Sequence, residues 1–397
     1  MTTPTILLGA FDRHNFGDLL LPHVVASLLA GRRLIFAGLA GRDLRPFGGH
    51  RTHALARVAA EFGDTPLTLI HVGGEILTCE AWHAALMLQP ATDVAALVAR
   101  LDTRPAERLA WARATLGLRG LAPYVAGRQL FRRARLIHAG VGGAGLAHSP
   151  PALRHEVTEA LRQADAVGVR DRQTLACLAA ADIPARLLPD PAALVADHFG
   201  PVIAAHAARG EVAAIGRAFP QGYLAAQFNA GFGDDATLDT LAAQLARAGH
   251  GLGIVLFQAG SAPWHDDPDC LARLARRLSA ARVRIFRSLQ LWDICALIAG
   301  SRGFCGSSLH GRIVATAFAR PRLNVLAPQA SEPGKVEAYT GSWEAPGLPG
   351  AVPIDGLAAA LENALAAPPE GLQATARALA GQARRGLSAL LPATRDR

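Results

Sequence analysis

The chain has 397 residues, half of them apolar and fewer than a fifth charged, which excludes a disordered protein and is long enough for two ordinary domains. Its formal net charge is +8, and arginine carries most of the positive charge. No zinc-finger spacing, RNA-binding aromatic signature or basic tract accompanies this charge, so nucleic acid is not expected as a partner.

The cysteines and the first residues indicate where the protein resides. No two cysteines form a Cys-x-x-Cys pair, and their odd number leaves one unpaired in any disulfide scheme, which favours a reducing cytoplasm. The N-terminal residues lack the charged start and apolar core of a signal peptide, and no window of about 18 residues is apolar enough for a transmembrane helix. We expect a soluble, cytoplasmic protein. The cysteines are Cys79, Cys177, Cys270, Cys295 and Cys305.

Short apolar runs alternate with longer helical patterns along the chain, which predicts parallel sheets covered by helices. Strands are predicted at 5–9, 33–39, 67–72, 135–140, 166–169, 185–188, 212–215, 223–228, 252–257, 282–286, 303–305 and 322–326. Helices are predicted at 18–30, 51–62, 91–100, 105–116, 151–163, 172–180, 236–248, 268–280, 290–299, 309–319, 355–366 and 370–391.

The pattern is interrupted near 195–212, which indicates a boundary between two domains. The predicted fold class is α/β, with two Rossmann-like domains facing each other across a cleft. The first domain is placed at 1–200 and the second at 201–354. The C-terminal helices, 355–397, are expected to return to the first domain.

Three short motifs follow predicted strands of the first domain, where ligands of open parallel sheets bind. Asn15, Gly17 and Asp18 follow the first strand, and either polar residue can cap the next helix. Gly74 and Glu75 follow the strand at 67–72, and Glu75 could hold sugar hydroxyls. Arg170 and Asp171 close the strand at 166–169, as an ion pair or as part of a site. Each motif also fits a purely structural role.

The segment 306–326 is the most informative part of the sequence. A strand ends at Gly306, Ser307 and Ser308 follow, and a helix begins at Leu309 with His310, Gly311 and Arg312 in its first turn. Free N–H groups and the helix dipole attract an anion there, a serine can cap the helix, and Gly311 would let a ligand approach the backbone. A proton carrier beside an anion site predicts chemistry on a phosphate or a carboxylate.

These motifs, in this order, resemble the polysaccharide pyruvyl transferase family, whose C-terminal signature is one or two small residues, often an Arg, and then Leu-His-Gly. The resemblance spans roughly residues 5–335. It implies the glycosyltransferase-B-like fold, phosphoenolpyruvate as donor substrate, a carbohydrate as acceptor and a pyruvate ketal as product. The family often has Arg where this chain has Ser308.

On this resemblance, His310 and Asp18 are the expected catalytic residues. Donor binding is assigned to Ser307, Ser308, Gly311, Arg312 and Lys335, and acceptor binding to Asn15, Gly17, Gly74, Glu75, Arg170 and Asp171. No cofactor and no metal is expected. A lipid-linked acceptor would bring the protein into peripheral contact with a membrane.

Two other functions fit the same fold. A glycosyltransferase would use a nucleotide-sugar donor, although no acidic residue near 300–330 offers a ribose contact. A non-catalytic carbohydrate-binding relative would account for the serine at 308. The segment Trp264–Asp267 could contact substrate or hold a metal weakly, but it lacks the spacing of a metal motif.

Overall fold

The computed structural model describes residues 3–249, 251–328, 334–345 and 347–392. The chain forms two compact units. The first comprises Met1–Pro191 together with Gln382–Arg397, and the second comprises Ala192–Gly381.

The first unit is built on a seven-stranded sheet in which every pair of neighbouring strands is parallel. The spatial order is β3-β2-β1-β4-β5-β6-β7. The central strands are buried from end to end, since helices cover both faces of a parallel sheet. The strands are β1 (Thr5–Leu8), β2 (Leu34–Gly38), β3 (His53–Ala54), β4 (Leu67–His71), β5 (Ala134–Val141), β6 (Ala166–Val169) and β7 (Arg186–Leu187).

Helices connect these strands, and their apolar faces complete the core of the first unit. Leu55 and Val58 of the second helix and Val157 and Leu161 of the sixth are buried at helical spacing. The helices are α1 (Phe16–Ser27), α2 (Leu55–Phe62), α3 (Ala81–Leu86), α4 (Ala91–Leu101), α5 (Pro105–Leu116), α6 (Pro151–Arg162) and α7 (Arg172–Ala179).

The second unit repeats the plan with six parallel strands in the order β10-β9-β8-β11-β12-β13. The strands are β8 (Tyr223–Gln227), β9 (Gly253–Leu256), β10 (Val283–Ile285), β11 (Gly303–Gly306), β12 (Arg322–Val325) and β13 (Ala351–Val352). The helices are α8 (Val195–Ala207), α9 (Gly210–Ala218), α10 (Asp235–Arg247), α11 (Pro268–Arg277), α12 (Leu291–Gly300), α13 (Leu309–Ala317), α14 (Lys335–Trp343), α15 (Leu357–Leu365) and α16 (Pro369–Leu390), the last of which belongs to the first unit from Gln382 onward.

The predicted strand at 212–215 is wrong, because these residues lie within α9. Val212 and Ile215 are both buried, three positions apart, so they form the inner face of a helix rather than one face of a strand. The strands β3 and β13 and the helices α3 and α14 were not predicted, and β3 lies within the predicted helix at 51–62.

The boundary between the units lies at Pro191 and Ala192, before the predicted boundary at residue 200. The residues expected to interrupt the pattern, 195–212, instead form α8, which tolerates Pro201 inside it, and the beginning of α9. The C-terminal helices divide: Leu357 and Leu361 of α15 belong to the core of the second unit, whereas the chain from Gln382 onward belongs to the first. Among the described residues, no helix is both long and apolar enough to cross a membrane.

Candidate functional site

In the second unit the informative segment forms a strand, a short turn and a helix, as the sequence predicts. β11 ends at Gly306, and α13 begins at Leu309. Ser308 adopts an extended conformation, and its Oγ accepts the N–H of Gly311 at 3.1 Å, so it is the N-cap. His310 lies in the first turn with a side chain that is 8% exposed. Its imidazole is therefore held next to the N-terminal end of the helix dipole.

A polar cluster lies beside this helix start, at the ends of the neighbouring strands β8 and β11. The Oγ of Ser307 accepts the backbone N–H of Asn229 at 3.1 Å and donates to Oε1 of Gln227 at 3.3 Å. The side-chain amide of Gln227 donates to Asp266 at 2.6 Å. Sequence reasoning named Ser307 but missed Gln227 and Asn229. A glutamine closing an otherwise apolar strand is the signal that could have found them.

Asp266 is the one acidic member of this cluster, and it lies in the loop that follows β9. Burial raises the pKa of Asp266 to about 7, although the N–H groups of Ala259 and Gly260 and the amide of Gln227 stabilise its charged form. A carboxyl group that titrates near neutrality can hold or release a proton at physiological pH. The cluster thus adds a second ionisable group to the edge of the sheet that carries His310.

Arg312 does not fit the predicted role of a donor-binding residue. Its guanidinium is fully buried, and all three nitrogens are engaged: Nε with Glu344 at 2.9 Å, one terminal nitrogen with Asn324 and the Gly350 carbonyl, the other with the Pro349 carbonyl. Glu344 also accepts two hydrogen bonds from Arg322. Arg312 therefore ties α13 to β12 and to the residues before β13.

Gly311 likewise has a packing role instead of the predicted role in ligand approach. A Cβ at this position would lie 2.5 Å from the ring of Phe304, so the helix passes directly over that aromatic side chain. Gly306 is constrained in the same way, since its Cβ would lie 2.0 Å from the carbonyl oxygen of Gln227. Both glycines set how closely α13 and β8 approach β11.

Lys335 is the first residue of α14 and is exposed. It follows Gly334, whose N–H is accepted by the carboxylate of Glu337 at 2.9 Å. Its predicted contact with the donor stays a prediction.

In the first unit, the motif after β1 forms the start of α1. Asn15 is the N-cap, and its Oδ1 accepts the N–H of Gly17 at 3.1 Å. The carboxylate of Asp18 lies next to Gly74, whose φ of +80° is in the left-handed region that favours glycine. Asp18 is 8% exposed, and no hydrogen bond or ion pair of its carboxylate is found within the described residues. It is the member of this motif whose acceptor capacity is available to a ligand.

Glu75, Arg170 and Asp190 form an ion network in which Arg170 and Asp190 are buried and Glu75 is half-buried. Arg170 donates to Glu75 at 2.6 Å and to Asp190 at 2.9 Å, and the second oxygen of Glu75 accepts the N–H of Ala144 at 2.9 Å. Asp171 is the N-cap of α7 and accepts from both the N–H and the hydroxyl of Thr174. These contacts hold the loops after β4, β5 and β6 together. The predicted acceptor-binding residues Glu75, Arg170 and Asp171 therefore hold these loops in place.

A second polar group at the end of β1 was missed. Asp12 is fully buried and accepts from the N–H groups of Leu39 and Ala40 and from the hydroxyl of Tyr124. Arg13 donates to the same hydroxyl at 2.5 Å. Two consecutive charged residues in the short loop between β1 and α1 were the available signal.

Across the part of the chain that the structure describes, no three His, Cys, Asp or Glu side chains come together as metal ligands. The five cysteines are free thiols.

The strand-end motifs are therefore present in the predicted order and lie at the predicted edges of two parallel sheets. The sequence profile of the family described as polysaccharide pyruvyl transferase matches residues 15–327, most of the chain. This chain belongs to the polysaccharide pyruvyl transferase family. The match begins at the N-cap of α1 and continues past the end of β12, so it includes every motif on which the resemblance was based.

No curated protein matches the chain by sequence. Solved structures resemble it in fold. A UDP-GlcNAc 2-epimerase from Methanocaldococcus jannaschii, solved with UDP-GlcNAc and UDP, is 10% identical with a TM-score of 0.53, covering 93% of this chain and 94% of its own. An α,α-trehalose-phosphate synthase from Burkholderia xenovorans is 14% identical with a TM-score of 0.53, covering 98% of each chain. These likenesses confirm the predicted fold class, two parallel-sheet α/β domains of the glycosyltransferase-B-like type.

Proposed function

We propose that this family member transfers pyruvate from phosphoenolpyruvate to a carbohydrate and forms a pyruvate ketal. The observation that carries the proposal is the placement of His310. It combines a buried imidazole, the first turn of a capped helix and a neighbouring polar cluster at one sheet edge. Membership of a transferase family that acts on polysaccharides supports the same reaction.

The donor site is proposed at the start of α13. Phosphoenolpyruvate carries a phosphate and a carboxylate, and the N-terminal end of a helix stabilises an anion through its N–H groups and its dipole. Because Arg312 is committed to Glu344, we assign the contacts with the anionic groups of the donor to His310, Lys335 and the N–H groups at the start of α13.

The reaction then needs one proton delivered and two hydroxyl protons removed. His310 donates a proton to the methylene carbon of phosphoenolpyruvate, which gives the adjacent carbon oxocarbenium character. A sugar hydroxyl attacks that carbon, the carbon–oxygen bond to phosphate breaks, and inorganic phosphate leaves. A second hydroxyl attacks the same carbon and closes the ketal; of the two hydroxyl protons, one restores the proton that His310 gave up and the other leaves with inorganic phosphate. A well-placed proton-transfer group contributes roughly 10²–10⁴-fold to the rate.

The acceptor contacts proposed for the first unit centre on Asp18. Its carboxylate lies beside the left-handed turn at Gly74, next to the capped start of α1 at Asn15 and Gly17. There it would accept a hydrogen bond from a sugar hydroxyl or remove its proton. Glu75, Arg170 and Asp171 would hold the surrounding loops in place rather than contact the sugar.

The test is release of inorganic phosphate from phosphoenolpyruvate in the presence of a panel of glycans, with mass spectrometry of the glycan. The wild type should release phosphate and add pyruvate as a ketal to at least one glycan. His310→Ala should lose about 10²-fold or more of turnover while unfolding at the wild-type temperature. His148→Ala, which replaces an exposed histidine in a turn of the first unit, is the matched control and should retain activity.

Wild-type turnover in His310→Ala would contradict the assignment of this residue. Consumption of a nucleotide sugar, with phosphoenolpyruvate left intact, would contradict the proposed reaction and would make the protein a glycosyltransferase.

A further inference from the structure

The loop between β9 and α11 carries an exposed tryptophan at the carboxyl edge of the second unit's sheet. Trp264 is 50% exposed, whereas large aromatic side chains are usually well buried. Among the described residues, Val202 on α8 is the other large apolar side chain that is exposed. An exposed indole beside polar groups is a surface suited to a ligand that has both apolar and polar sides.

The backbone of Trp264 is held in an unfavourable conformation. Its φ is +63°, in the left-handed region that costs free energy for a bulky residue. The surrounding loop imposes this conformation. The carboxylate of Asp266 accepts from Ala259, Gly260 and Gln227, and the carbonyl of His265 accepts the N–H of Ala230 at 2.8 Å. The indole is therefore presented on a rigid loop.

The same hydrogen bonds connect this loop to the proposed donor site. Asp266 is bonded to Gln227, and Gln227 is bonded to Ser307, which precedes the helix that carries His310. In the sheet, β9 and β11 flank β8, so their ends are two strand spacings apart, about 10 Å. That distance is comparable to the length of a disaccharide. A short glycan would therefore span these two strand ends, from which the Trp264 loop and the start of α13 extend.

We propose that Trp264 forms a carbohydrate-stacking subsite, in which the apolar C–H face of an acceptor sugar ring packs on the indole. The polar edge of the sugar would meet the cluster of Gln227, Asp266 and Ser307. Phosphoenolpyruvate has two charged groups and no apolar face, so the indole is not suited to the donor. This inference rests on the proposed function, and it adds an acceptor contact in the second unit.

The experiment compares the wild type with Trp264→Ala, Trp264→Gly and Trp264→Phe on an array of defined mono- to tetrasaccharides, with a calorimetric titration of phosphoenolpyruvate on each protein. Glycine adopts a positive φ without strain, so Trp264→Gly removes the ring without destabilising the loop. Val202→Ala removes the other exposed apolar side chain and is the control.

The wild type should bind a subset of the glycans. Trp264→Ala and Trp264→Gly should bind those glycans about tenfold more weakly, the factor expected for exposing one apolar ring face. Trp264→Phe should stay within about threefold of the wild type because it keeps an aromatic ring. Phosphoenolpyruvate affinity should be the same in all the proteins, as should glycan binding in Val202→Ala.

Equal glycan binding by the wild type and Trp264→Gly would overturn the subsite, and so would a wild type that binds no glycan. If phosphoenolpyruvate still binds in these cases, the donor assignment of the proposed function stands. If glycans bind through Trp264 but phosphoenolpyruvate does not bind, the subsite stands and the proposed function fails.

Discussion

The two sheets present the same arrangement of a buried strand, a polar turn and a capped helix, yet they use their charged residues differently. In the first unit Arg170 forms ion pairs with two carboxylates, Glu75 and Asp190. In the second unit Arg312 and Arg322 share one carboxylate, Glu344. Both networks engage residues that the motifs assigned to substrate binding, namely Glu75 and Arg170 in the first unit and Arg312 in the second. A charged residue in a family signature can therefore stabilise the fold instead of binding substrate.

Removal of Arg312 should give the largest effect on stability. Arg312→Met would leave Arg322 to pair with Glu344 alone and would leave the Asn324 side chain and two carbonyls without their donor. Loss of one partner of a buried ion network costs about 3–5 kcal/mol. The free energy of unfolding, measured with denaturant, should fall by that amount. Arg276→Ala, which removes an exposed arginine of α11, should change it by less than about 0.5 kcal/mol.

If Arg312→Met folded with wild-type stability and lost only affinity for phosphoenolpyruvate, Arg312 would be a donor contact after all. The conclusion that Arg312 stabilises the fold of the second unit instead of binding the donor would then be wrong.

The first unit should be the more sensitive of the two to acid. His71 and His138 stack at 4.0 Å, and His71 donates from Nδ1 to the carbonyl of Ile137 while its Nε2 accepts the N–H of Ala126. Burial lowers the pKa of His71 to about 4 and that of His138 well below its usual value. Because the unfolded chain binds protons at a higher pH, stability is complete above pH 6.5 and falls as the pH drops toward 4.

His71 alone contributes a loss of about 3 kcal/mol over this range, since 2.5 pH units correspond to that free energy. His138→Phe keeps a stacked ring but cannot titrate, and it relieves the repulsion that would oppose a charge on His71. The free energy of unfolding of this variant should therefore fall less steeply between pH 6.5 and 4. Identical slopes in the two proteins would show that these histidines do not control acid stability.

Gly311 offers a smaller test of whether a motif residue stabilises the fold or binds the donor. Gly311→Ala should destabilise the protein by about 1–3 kcal/mol, because the added methyl group would overlap the ring of Phe304. Phe304→Leu in the same chain should recover part of this loss by making room. Thermal unfolding of the single and double variants measures both effects. A fully stable Gly311→Ala that cannot bind phosphoenolpyruvate would restore Gly311 to the donor site.

Asp18 should show the smallest effect on stability and a clear one on activity. Asp18 lies in the first turn of α1 and interacts electrostatically with the buried Arg13, so Asp18→Asn should lower the free energy of unfolding by about 1 kcal/mol. The same change should lower turnover with the glycan acceptor and leave the affinity for phosphoenolpyruvate unaltered. Steady-state kinetics with varied acceptor, beside a donor titration, separates the two. A variant with full turnover would leave the first unit without an assigned catalytic residue.

The sequence predicted the fold well because alternating apolar runs of strand and helix length have few alternative arrangements. It also predicted a cap among Asn15 and Asp18 and another among Ser307 and Ser308, since capping depends on residues within three positions of one another, and Asn15 and Ser308 fill these roles. It could not predict that Glu344, far along the chain, takes up Arg312, or that Gly311 is required by Phe304. Those facts depend on which elements pack together, and they decide which motif residues remain for a ligand.

The most direct test of the central claim is a calorimetric titration of phosphoenolpyruvate into the wild type and into His310→Ala, with UDP-GlcNAc titrated in parallel. Phosphoenolpyruvate should bind saturably to the wild type. Its affinity for the variant should be about tenfold or more weaker, as expected for loss of a charge-assisted hydrogen bond. The nucleotide sugar should bind to neither protein. Equal affinity in the two proteins, or binding of UDP-GlcNAc in place of phosphoenolpyruvate, would contradict this claim.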